Sequence, residues 1–511
     1  MLSLRLHGSF MENKRTVAVT FNGKTLTAEP GVLLSELIDG EKPCGGHGRC
    51  GKCKVRANGC LSPITDSERG LLSENELSCG IRLACLTRVL GDAQAELLTE
   101  KTEVTVLTDG LREGFEIQPT FCGCGVAVDI GTTTIAAVLY DSDGTPLADA
   151  SCLNPQTRLG SDVISRIEAA LAGKAEHLAA DVRSAVNGIV ETLMAKSCRS
   201  DVGLAVLTGN TVMLSLLTRQ STEPFSHAPF KAERLFGESM TAGELDISCL
   251  SADTPVYIPP CISAFVGADA VCAVLATGLC DAENVMLADI GTNGEMALWH
   301  DGRLSVCSTA AGPAFEGVGI SMGMRGETGA IDSVSVVNGK LYAHVIGGGA
   351  PVGICGSGLV DATACMIDVG ELDEGGYLED GTYVIADGVE LTQKDIRMLQ
   401  LAKSAICAGL MTLMDAEDLT ADSVTRLYVA GGFGNYLNTK SARRIGLLPV
   451  SLAERSYAVG NAALSGASML LLNRDMKEKA ERISKGARLL ELSTSPAFSE
   501  YYMNGMLFGE V

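Results

Sequence analysis

The sequence predicts a multidomain protein in which a small, strand-rich α+β domain precedes a larger, duplicated α/β domain. Its 511 residues exceed what one hydrophobic core usually supports, and a content of 46% apolar and 20% charged residues is typical of folded domains. A glycine-rich loop with three cysteines lies near the start of the chain. Two similar strand-turn-strand patterns begin at Val126 and Met286, which indicates an internal repeat.

The composition excludes several kinds of partner. A formal net charge of −22 gives little attraction for a phosphate backbone or an anionic membrane surface, so we expect no nucleic-acid and no membrane binding. The N-terminus does not have the pattern of a signal peptide and no run of 18 apolar residues occurs, so we expect a cytoplasmic protein. In that reducing compartment the 18 cysteines divide into metal ligands and buried small side chains.

The first domain is predicted over residues 14–99. "RTVAVTF" and "KTLTAEP" alternate apolar and polar residues around Asn22-Gly23, which predicts a β-hairpin. "LLSELID" has helical spacing, and "IRLACLTRVLGDAQAELL" predicts the later strands. Residues 100–124 are predicted to be a linker, which includes the thiols of Cys122 and Cys124.

The cysteine loop "PCGGHGRCGKCKV" predicts an iron–sulfur site. Cys44, Cys50 and Cys53 have the spacing C-x5-C-x2-C, and Cys85 in "RLACLT" is a distant fourth ligand. Glycines let the backbone wrap closely around an inorganic cluster and point its N–H groups at the sulfurs. A zinc knuckle or simply buried thiols are the alternatives, but zinc sites usually combine two short cysteine pairs. Cys79 remains the alternative fourth ligand.

The repeat divides the rest of the chain into residues 125–285 and 286–511. "DIGTTT" at 129–134 and "DIGTNGE" at 289–295 each place a carboxylate at the end of a strand, followed by glycine and hydroxyl residues. Backbone N–H groups of such turns can bind phosphate oxygens. Two such hairpins can hold the β- and γ-phosphates of a nucleotide from both sides, while their aspartates bind Mg2+ through water.

Three further glycine-containing segments fit this interpretation. "LYVAGGFGNYL" at 427–437 ends a strand in glycines that can lie against an adenosine, although the same pattern suits any strand-to-helix turn. "LTGNTVM" at 207–213 and "AAGPAFEG" at 310–317 are functional loops or purely structural turns. The chain contains neither a P-loop motif nor a dinucleotide-binding glycine fingerprint.

These motifs resemble two known classes of domain. The cysteine spacing resembles adrenodoxin-like ferredoxins, which implies a ferredoxin-like (β-grasp) fold with a two-iron two-sulfur (2Fe-2S) cluster. The paired hairpins resemble the superfamily of actin, sugar kinases and heat-shock ATPases, which implies two ribonuclease-H-like halves. With "NPQTRLGSDVISRI", "FVGADAVCAV", "GVGISMGMRG", "GICGSGLVD" and the C-terminal tail, nearly the whole chain resembles the reductive activators of corrinoid proteins.

The resemblance implies roles for particular residues. The implied cluster ligands are Cys44, Cys50, Cys53 and Cys85. The implied nucleotide-binding residues are Asp129, Gly131, Thr132, Thr133 and Thr134 in the first phosphate loop, Asp289, Gly291, Thr292, Asn293 and Gly294 in the second, and Gly431, Gly432 and Gly434 in the adenosine loop. From residue type alone, Glu295 or Glu316 orients the attacking water. Ser321 and Ser357 either face the corrinoid or are turn hydroxyls.

The resemblance also implies a function. An electron carrier fused to an ATPase suits uphill electron transfer, so the expected activity is ATP-dependent reduction of cob(II)amide to cob(I)amide in a corrinoid methyltransferase system. The expected cofactors are the 2Fe-2S cluster, ATP and Mg2+. The expected partners are a corrinoid protein and an external low-potential electron donor, with a homodimer as an alternative to a monomer. Rival interpretations are an activator of a 2-hydroxyacyl-CoA dehydratase, a redox-sensing actin-like ATPase and a sugar kinase with a fused ferredoxin.

Overall fold

The structure, a computed structural model, describes residues 16–21, 24–38, 48, 51, 53–97 and 116–511. The chain divides into two compact units. Of the described residues, the N-terminal unit contains those up to 97, and the C-terminal unit contains 116–157 and 161–511. The predicted ligands Cys44 and Cys50 and the Asn22-Gly23 turn lie outside the described residues.

The N-terminal unit is a mixed five-stranded sheet with three short helices. Its elements are β1 (Val17–Phe21), β2 (Lys24–Ala28), α1 (Leu34–Leu37), β3 (Lys54–Leu61), α2 (Asp66–Leu71), α3 (Glu74–Ser78), β4 (Ile81–Leu83) and β5 (Val89–Leu97). The strand order is β2-β1-β5-β3-β4, and β1 pairs with β5 in parallel. β1 and β2 pair antiparallel with Phe21 opposite Lys24, as the hairpin pattern predicts. Alternate side chains of these strands, including Val19 and Val55, are buried in one apolar core.

The C-terminal unit begins with a six-stranded sheet in the order β10-β11-β9-β6-β7-β8. Its strands are β6 (Cys124–Ile130), β7 (Thr134–Asp141), β8 (Pro146–Leu153), β9 (Val202–Gly209), β10 (Glu238–Thr241) and β11 (Pro255–Ile258). Its helices are α4 (Val163–Ala169), α5 (Ala175–Ser197), α6 (Thr211–Leu217) and α7 (Ala268–Thr277). β6, β7 and β8 form an antiparallel meander, and β9 and β11 continue the sheet in parallel from β6.

A second six-stranded sheet, in the order β21-β20-β12-β13-β14-β22, repeats five strands of that arrangement, and its sixth strand, β22, lies beside the meander instead of at the other edge. The strands of this half are β12 (Val285–Ile290), β13 (Gly294–His300), β14 (Arg303–Thr309), β15 (Ala330–Val337), β16 (Lys340–Val345), β17 (Gly353–Ile354), β18 (Thr382–Ala386), β19 (Val389–Thr392), β20 (Arg426–Ala430), β21 (Ser456–Ala458) and β22 (Ala487–Leu489). Its helices are α8 (Gly356–Val369), α9 (Gln393–Asp415), α10 (Thr439–Arg444), α11 (Val450–Glu454), α12 (Ala462–Leu472), α13 (Met476–Gly486) and α14 (Pro496–Asn504). In both sheets an antiparallel meander is followed by two parallel strands, which confirms the predicted duplication.

The two halves share a core. α7 of the first half packs against α12 of the second so closely that a Cβ on Gly466 would lie 2.0 Å from the carbonyl oxygen of Cys272. Buried side chains of both sheets, among them Val206 and Leu287, join the same apolar cluster. Only glycine permits so close a helix contact, so α7 and α12 join the two halves within one shared core.

One described helix, α9, is long and apolar enough to cross a membrane by length and composition. Of its most apolar window, 78% is buried within the protein. The helix lies in the core of the second half, where Ile406 and Leu410 are fully buried.

Residues 116–123 are the first described residues of the C-terminal unit and pack against the rest of it. The backbone N–H of Gln118 donates to the carbonyl of Leu472 at the end of α12, and Phe121 is buried in the shared core. Cys122 is exposed, whereas Cys124 is buried in β6.

Candidate functional site

The first predicted phosphate loop is the turn between β6 and β7. Asp129 lies one residue before the end of β6, and Gly131 begins the turn. A Cβ on Gly131 would lie 2.6 Å from the carbonyl oxygen of Thr134, so a larger residue does not fit. Asn154 supports the turn because its side chain donates to the carbonyl of Gly131 at 2.9 Å and its backbone N–H donates to Thr133 at 2.9 Å.

A buried arginine holds the same turn from behind. The guanidinium of Arg166, which is fully buried, donates to the carbonyl of Thr132 and, at 3.0 Å, to the side-chain oxygen of Gln156. Burial lowers the pKa of Arg166, while the negative charges of Asp162 and Glu316 oppose that shift. An arginine keeps its charge under such conditions, so a positive charge lies directly behind the first phosphate loop.

The second predicted phosphate loop repeats the first between β12 and β13. The backbone N–H of Gly291 donates to the carbonyl of Asn293 at 3.0 Å, and that of Gly312 donates to the carbonyl of Thr292 at 2.9 Å. Asp289 and Glu295 are directly opposite in the antiparallel pair, so their side chains share one face of the sheet. Glu295 therefore lies beside Asp289, deeper than the turn.

Four carboxyl groups gather beneath these loops. Burial raises the pKa of Asp129 to about 7, with a further increase from the charges of Asp269 and Asp289 that a hydrogen bond from Asn461 opposes. Burial also raises the pKa of Asp289 to about 7. Burial and these neighbouring charges raise the pKa of Glu295 well above its ordinary value. The four residues are partly exposed, and they come from both halves. The space between the two phosphate hairpins is called the cleft below, and these carboxyl groups are its acidic floor.

The acidic floor has the carboxylate groups that bind a hydrated cation. Within the described residues, no three histidine, cysteine, aspartate or glutamate side chains converge on one position that could hold a metal ion. Carboxylates at longer range can still bind Mg2+ through its retained water molecules. Nearby hydroxyl and backbone donors would bind the phosphates that accompany the ion.

The predicted adenosine loop follows β20. Gly431 has φ of +91°, and its backbone N–H donates to the carbonyl of Gly460 at 3.1 Å. A Cβ there would lie 2.7 Å from the carbonyl oxygen of Ile290 and 2.9 Å from Oδ1 of Asp289, so this glycine packs against the second phosphate hairpin. A Cβ on Gly432 would meet no atom within 4 Å, whereas one on Gly434 would lie 2.8 Å from the side chain of Val429.

Glu316 connects the two phosphate loops. Its carboxylate accepts a hydrogen bond from the hydroxyl of Thr133 at 2.5 Å. It also accepts from the backbone N–H of Thr292 at 3.1 Å and from the Thr292 hydroxyl at 2.9 Å. Of the two predicted catalytic glutamates, only Glu316 contacts both loops among the described hydrogen bonds.

Sequence reasoning singled out the segments of Asp269 and Asn210 without giving either residue a role, and it did not single out Asn461. Asp269 lies in the first turn of α7, and Asn461, at the start of α12, donates its amide to Asp129 at 2.9 Å. Asn210 begins α6 within "LTGNTVM", and its amide nitrogen is buried without a hydrogen-bond partner in the described structure. The motif "FVGADAVCAV" contains Asp269, but nothing local to Asn461 indicates a contact with a residue so distant in the chain.

The two serines proposed to face a corrinoid differ in exposure. Ser321 is exposed, and its N–H and hydroxyl donate to Oδ1 of Asp395 at 2.7 and 3.1 Å. Ser357 is buried, and its hydroxyl donates to the carbonyl of Asp332 at 2.8 Å.

A separate cavity of about 520 Å3 lies along α5, and no predicted site residue lines it. The charged side chains of this cavity, including Arg183, Arg219 and Asp246, contact one another. None of the residues that line this cavity belongs to either phosphate loop or to the adenosine loop.

In the N-terminal unit, two of the four predicted cluster ligands lie together. The sulfurs of Cys53, just before β3, and Cys85, just after β4, are 3.2 Å apart and both are buried. This separation is too long for a disulfide and suits two ligands of one metal centre. The alternative ligand Cys79 is exposed at the end of α3.

A buried ion pair fixes the segment that carries Cys85. Arg82 donates to both carboxylate oxygens of Glu68, at 2.9 and 3.1 Å. The same carboxylate accepts from the backbone N–H of Leu83 and from the hydroxyl of Thr87, both at 3.2 Å. Burial alone would raise the pKa of Glu68, but the hydrogen bonds from Arg82 and from backbone N–H groups lower it overall.

The duplicated sheets, the paired hairpins and the cleft define a two-lobed ATPase of the actin and sugar-kinase class, fused to an N-terminal unit. Comparison with protein families agrees. The family model described as "C-terminal domain of RACo the ASKHA domain" matches residues 283–510. The model described as "RACo middle region" matches residues 124–282.

Individual relatives agree with the family match. The "Corrinoid activation enzyme RamQ" of Eubacterium limosum is 34% identical over 429 residues, which cover 76% of this chain and 70% of the relative. The "[Co(II) methylated amine-specific corrinoid protein] reductase" of Methanosarcina barkeri is 28% identical over 74% of this chain and 76% of its own length. The solved structure of a "Reductive activator for corrinoid,iron-sulfur protein" is 28% identical with a TM-score of 0.71, and the match covers 97% of this chain and 98% of that one. This chain therefore belongs to the family of reductive activators of corrinoid proteins.

Proposed function

We propose that this protein uses ATP to drive single electrons from an iron–sulfur cluster onto the cob(II)amide of a corrinoid protein, which regenerates cob(I)amide for methyl transfer. The observation that carries the proposal is the pair of carboxylate-bearing hairpins that face one cleft in a chain of this family. Electron transfer to a low-potential acceptor is unfavourable by itself, so coupling to nucleotide binding or hydrolysis supplies the driving force. An external low-potential donor would reload the cluster.

The N-terminal unit is proposed to be a ferredoxin-like (β-grasp) domain over residues 14–99. Its 2Fe-2S cluster would be held by Cys44, Cys50, Cys53 and Cys85, and it would supply one-electron transfer. The 3.2 Å separation of the Cys53 and Cys85 sulfurs supports this ligand set, and the exposure of Cys79 favours Cys85 as the fourth ligand. The mixed sheet supports the fold assignment.

ATP is proposed to bind in the cleft of residues 125–511, which divides into halves at 285 and 286. The proposed phosphate-binding residues are Gly131, Thr132, Thr133 and Thr134 in the first half, and Gly291, Thr292, Asn293 and Gly294 in the second. Asp129 and Asp289 would hold Mg2+ through water, and the raised pKa values that burial gives both groups support this role, because a bound cation would favour their ionised forms. Gly431, Gly432 and Gly434 would contact the adenosine.

Glu316 is the better candidate for orienting the attacking water. Its carboxylate contacts both phosphate loops, whereas Glu295 lies beneath them beside Asp289. Burial, with the neighbouring charges of Asp269 and Asp289, raises the pKa of Glu295 and so disfavours its ionised form. The linker predicted over residues 100–124 extends too far at its C-terminal end, because residues 116–124 belong to the C-terminal unit and Cys124 begins β6. Residues 100–115 are proposed to be the linker between the two domains, and a homodimer is the alternative to a monomer.

The decisive experiment is anaerobic. The protein, a reductant and a corrinoid protein in its cob(II) state are mixed, and the absorbance of cob(I)amide is followed with and without MgATP. We expect cob(I)amide to form only with MgATP. Formation at the same rate without nucleotide would remove the coupling, and reoxidation of the cluster without cobalt reduction would favour a redox-sensing ATPase.

A further inference from the structure

The carboxylate of Glu316 binds the donors that a terminal phosphate would need. Oε2 accepts from the Thr133 hydroxyl of the first loop, and Oε1 accepts from the N–H and hydroxyl of Thr292 in the second. Hydroxyl and backbone N–H groups converging from two glycine-containing turns are also what binds phosphate oxygens. One negatively charged group of the protein therefore lies where the two phosphate loops meet.

The backbone of Glu316 is held in place by packing. Phe315 stacks on Phe433 of the adenosine loop, with ring centroids 4.6 Å apart and planes inclined by 24°. A Cβ on Gly356 would lie 2.0 Å from the carbonyl oxygen of Phe315. Gly317 has φ of +75°, and a Cβ there would lie 2.5 Å from the carbonyl of Met324. A shift of this turn would disrupt contacts on three sides, so the carboxylate is positioned by the fold and only its side chain is free to rotate away.

We propose that Thr133 and Thr292 form the γ-phosphate subsite and that Glu316 occupies it until a nucleoside triphosphate displaces its carboxylate. The inference rests on the proposed binding of ATP in this cleft. A γ-phosphate and a carboxylate are both anions that need the same three donors, so they cannot bind there together. A diphosphate has no group for this position and leaves the Glu316 contacts in place.

The exchange changes how the two halves are connected. Thr133 belongs to the first half and Glu316 to the second, so their hydrogen bond crosses the cleft. A triphosphate replaces this protein contact by its own bonds to both loops, and a diphosphate does not. The subsite thereby makes the cleft respond to the γ-phosphate, with the carboxylate released beside it, where it can orient water.

The test compares Glu316→Gln with wild-type protein for binding of a non-hydrolysable triphosphate analogue and of MgADP, by calorimetry. Removal of the competing charge should tighten triphosphate binding on the order of tenfold and leave MgADP binding unchanged. Glu283→Gln, an exposed glutamate beyond the opposite end of β12, is the matched control and should alter neither affinity. Equal shifts for both nucleotides, or weaker triphosphate binding, would overturn the subsite.

A second measurement needs no variant. Amide hydrogen exchange of residues 314–317 in wild-type protein should change with the triphosphate analogue and remain as in the free protein with MgADP. An equal change with both nucleotides contradicts the inference. If wild-type protein binds neither nucleotide, the proposed ATP site itself is wrong. This outcome differs from failure of the Glu316 subsite alone, in which both nucleotides bind but change the exchange equally.

Discussion

At the scale of single residues, the cleft gathers carboxyl groups whose ionised forms are disfavoured by burial. Asp129 and Asp289 both have pKa values raised to about 7, chiefly by burial. A group whose pKa is higher in the folded than in the unfolded state binds more protons when folded. The free energy of unfolding therefore falls as pH rises from the ordinary pKa of 3.8 to the raised pKa of about 7. The protein keeps these aspartates at a cost that bound Mg2+ would remove.

The first prediction follows from this cost. Asp289→Asn should melt at a higher temperature than wild-type protein without nucleotide, because it has no charge to bury. The difference should widen from the ordinary pKa of 3.8 to about pH 7, where this carboxyl is ionised in the unfolded chain but still protonated in the folded wild-type protein, and stay constant at higher pH. The same variant should lose the stabilisation that MgATP gives the wild type, which thermal melting with and without nucleotide measures.

The matched control for Asp289→Asn is Asp253→Asn, which changes an exposed aspartate just before β11. It should follow the wild-type pH profile and retain stabilisation by MgATP. A variant at position 289 that still binds MgATP, or wild-type stability that rises through this pH range, would show that the aspartate does not have the proposed role.

At the scale of elements, the phosphate and adenosine loops depend on glycines with different constraints. Gly431 combines φ of +91° with contacts to Ile290 and Asp289, whereas the adjacent Gly432 faces open space. Gly431→Ala should therefore cost about 1–3 kcal/mol of stability from backbone strain alone. Gly432→Ala should keep the wild-type melting temperature and weaken ATP binding, because its methyl group lies on the surface proposed for the adenosine.

Together, Gly431→Ala and Gly432→Ala distinguish an effect on stability from an effect on ATP affinity. Chemical denaturation measures the first effect, and nucleotide titration measures the second. Wild-type stability of Gly431→Ala would argue against strain at this turn, and wild-type ATP affinity of Gly432→Ala would argue that the adenosine lies elsewhere.

Another prediction concerns the segment that carries Cys85. Glu68→Gln leaves Arg82 buried without its ionic partner, which should cost about 3–5 kcal/mol. Glu76→Gln is a matched control, since Glu76 also caps a helix and pairs with Lys54, but its pair is partly exposed. The control should cost less than about 1 kcal/mol. Denaturation followed by the visible absorbance of the cluster measures both, and equal losses would contradict a special role for the buried pair.

The pH dependence of this ion pair has the opposite sign to that of the cleft. The pKa of Glu68 is lowered, so its contribution to stability is present at neutral pH and is lost as pH falls through the lowered value. Acid should therefore weaken the segment that carries Cys85 under conditions that relieve the charge in the cleft.

The sequence predicted these elements where the signal is local. "DIGTTT" and "DIGTNGE" have the periodicity and turn residues of strand-turn-strand units, and both are hairpins in the structure. The contacts that complete the site are not local. Asn461 reaches Asp129, and Glu316 reaches Thr133, across hundreds of residues, and no spacing rule relates such positions.

At the scale of the whole molecule, the repeat predicted two halves but not how they are joined. Gly466 lies in an apolar segment that has the pattern of an ordinary core helix, and only its approach to Cys272 shows why glycine is required there. The two phosphate loops belong to different halves, so a rotation of the halves about this contact would change the distance between the loops. The hydrogen bond between Glu316 and Thr133 lies across that distance.

The separation of the two chemistries gives the last prediction. The described cysteines proposed for the cluster belong to the N-terminal unit, and every residue proposed for ATP belongs to the C-terminal unit. Cys85→Ser should therefore lower the iron content and abolish cob(I)amide formation while leaving MgATP affinity within about twofold of wild type. Cys79→Ser, which changes an exposed cysteine just before β4, should retain its iron, the reduction of cob(II)amide and nucleotide binding. Loss of iron in Cys79→Ser alone would reassign the fourth ligand, and loss of MgATP binding in Cys85→Ser would show that the two units do not bind their cofactors independently.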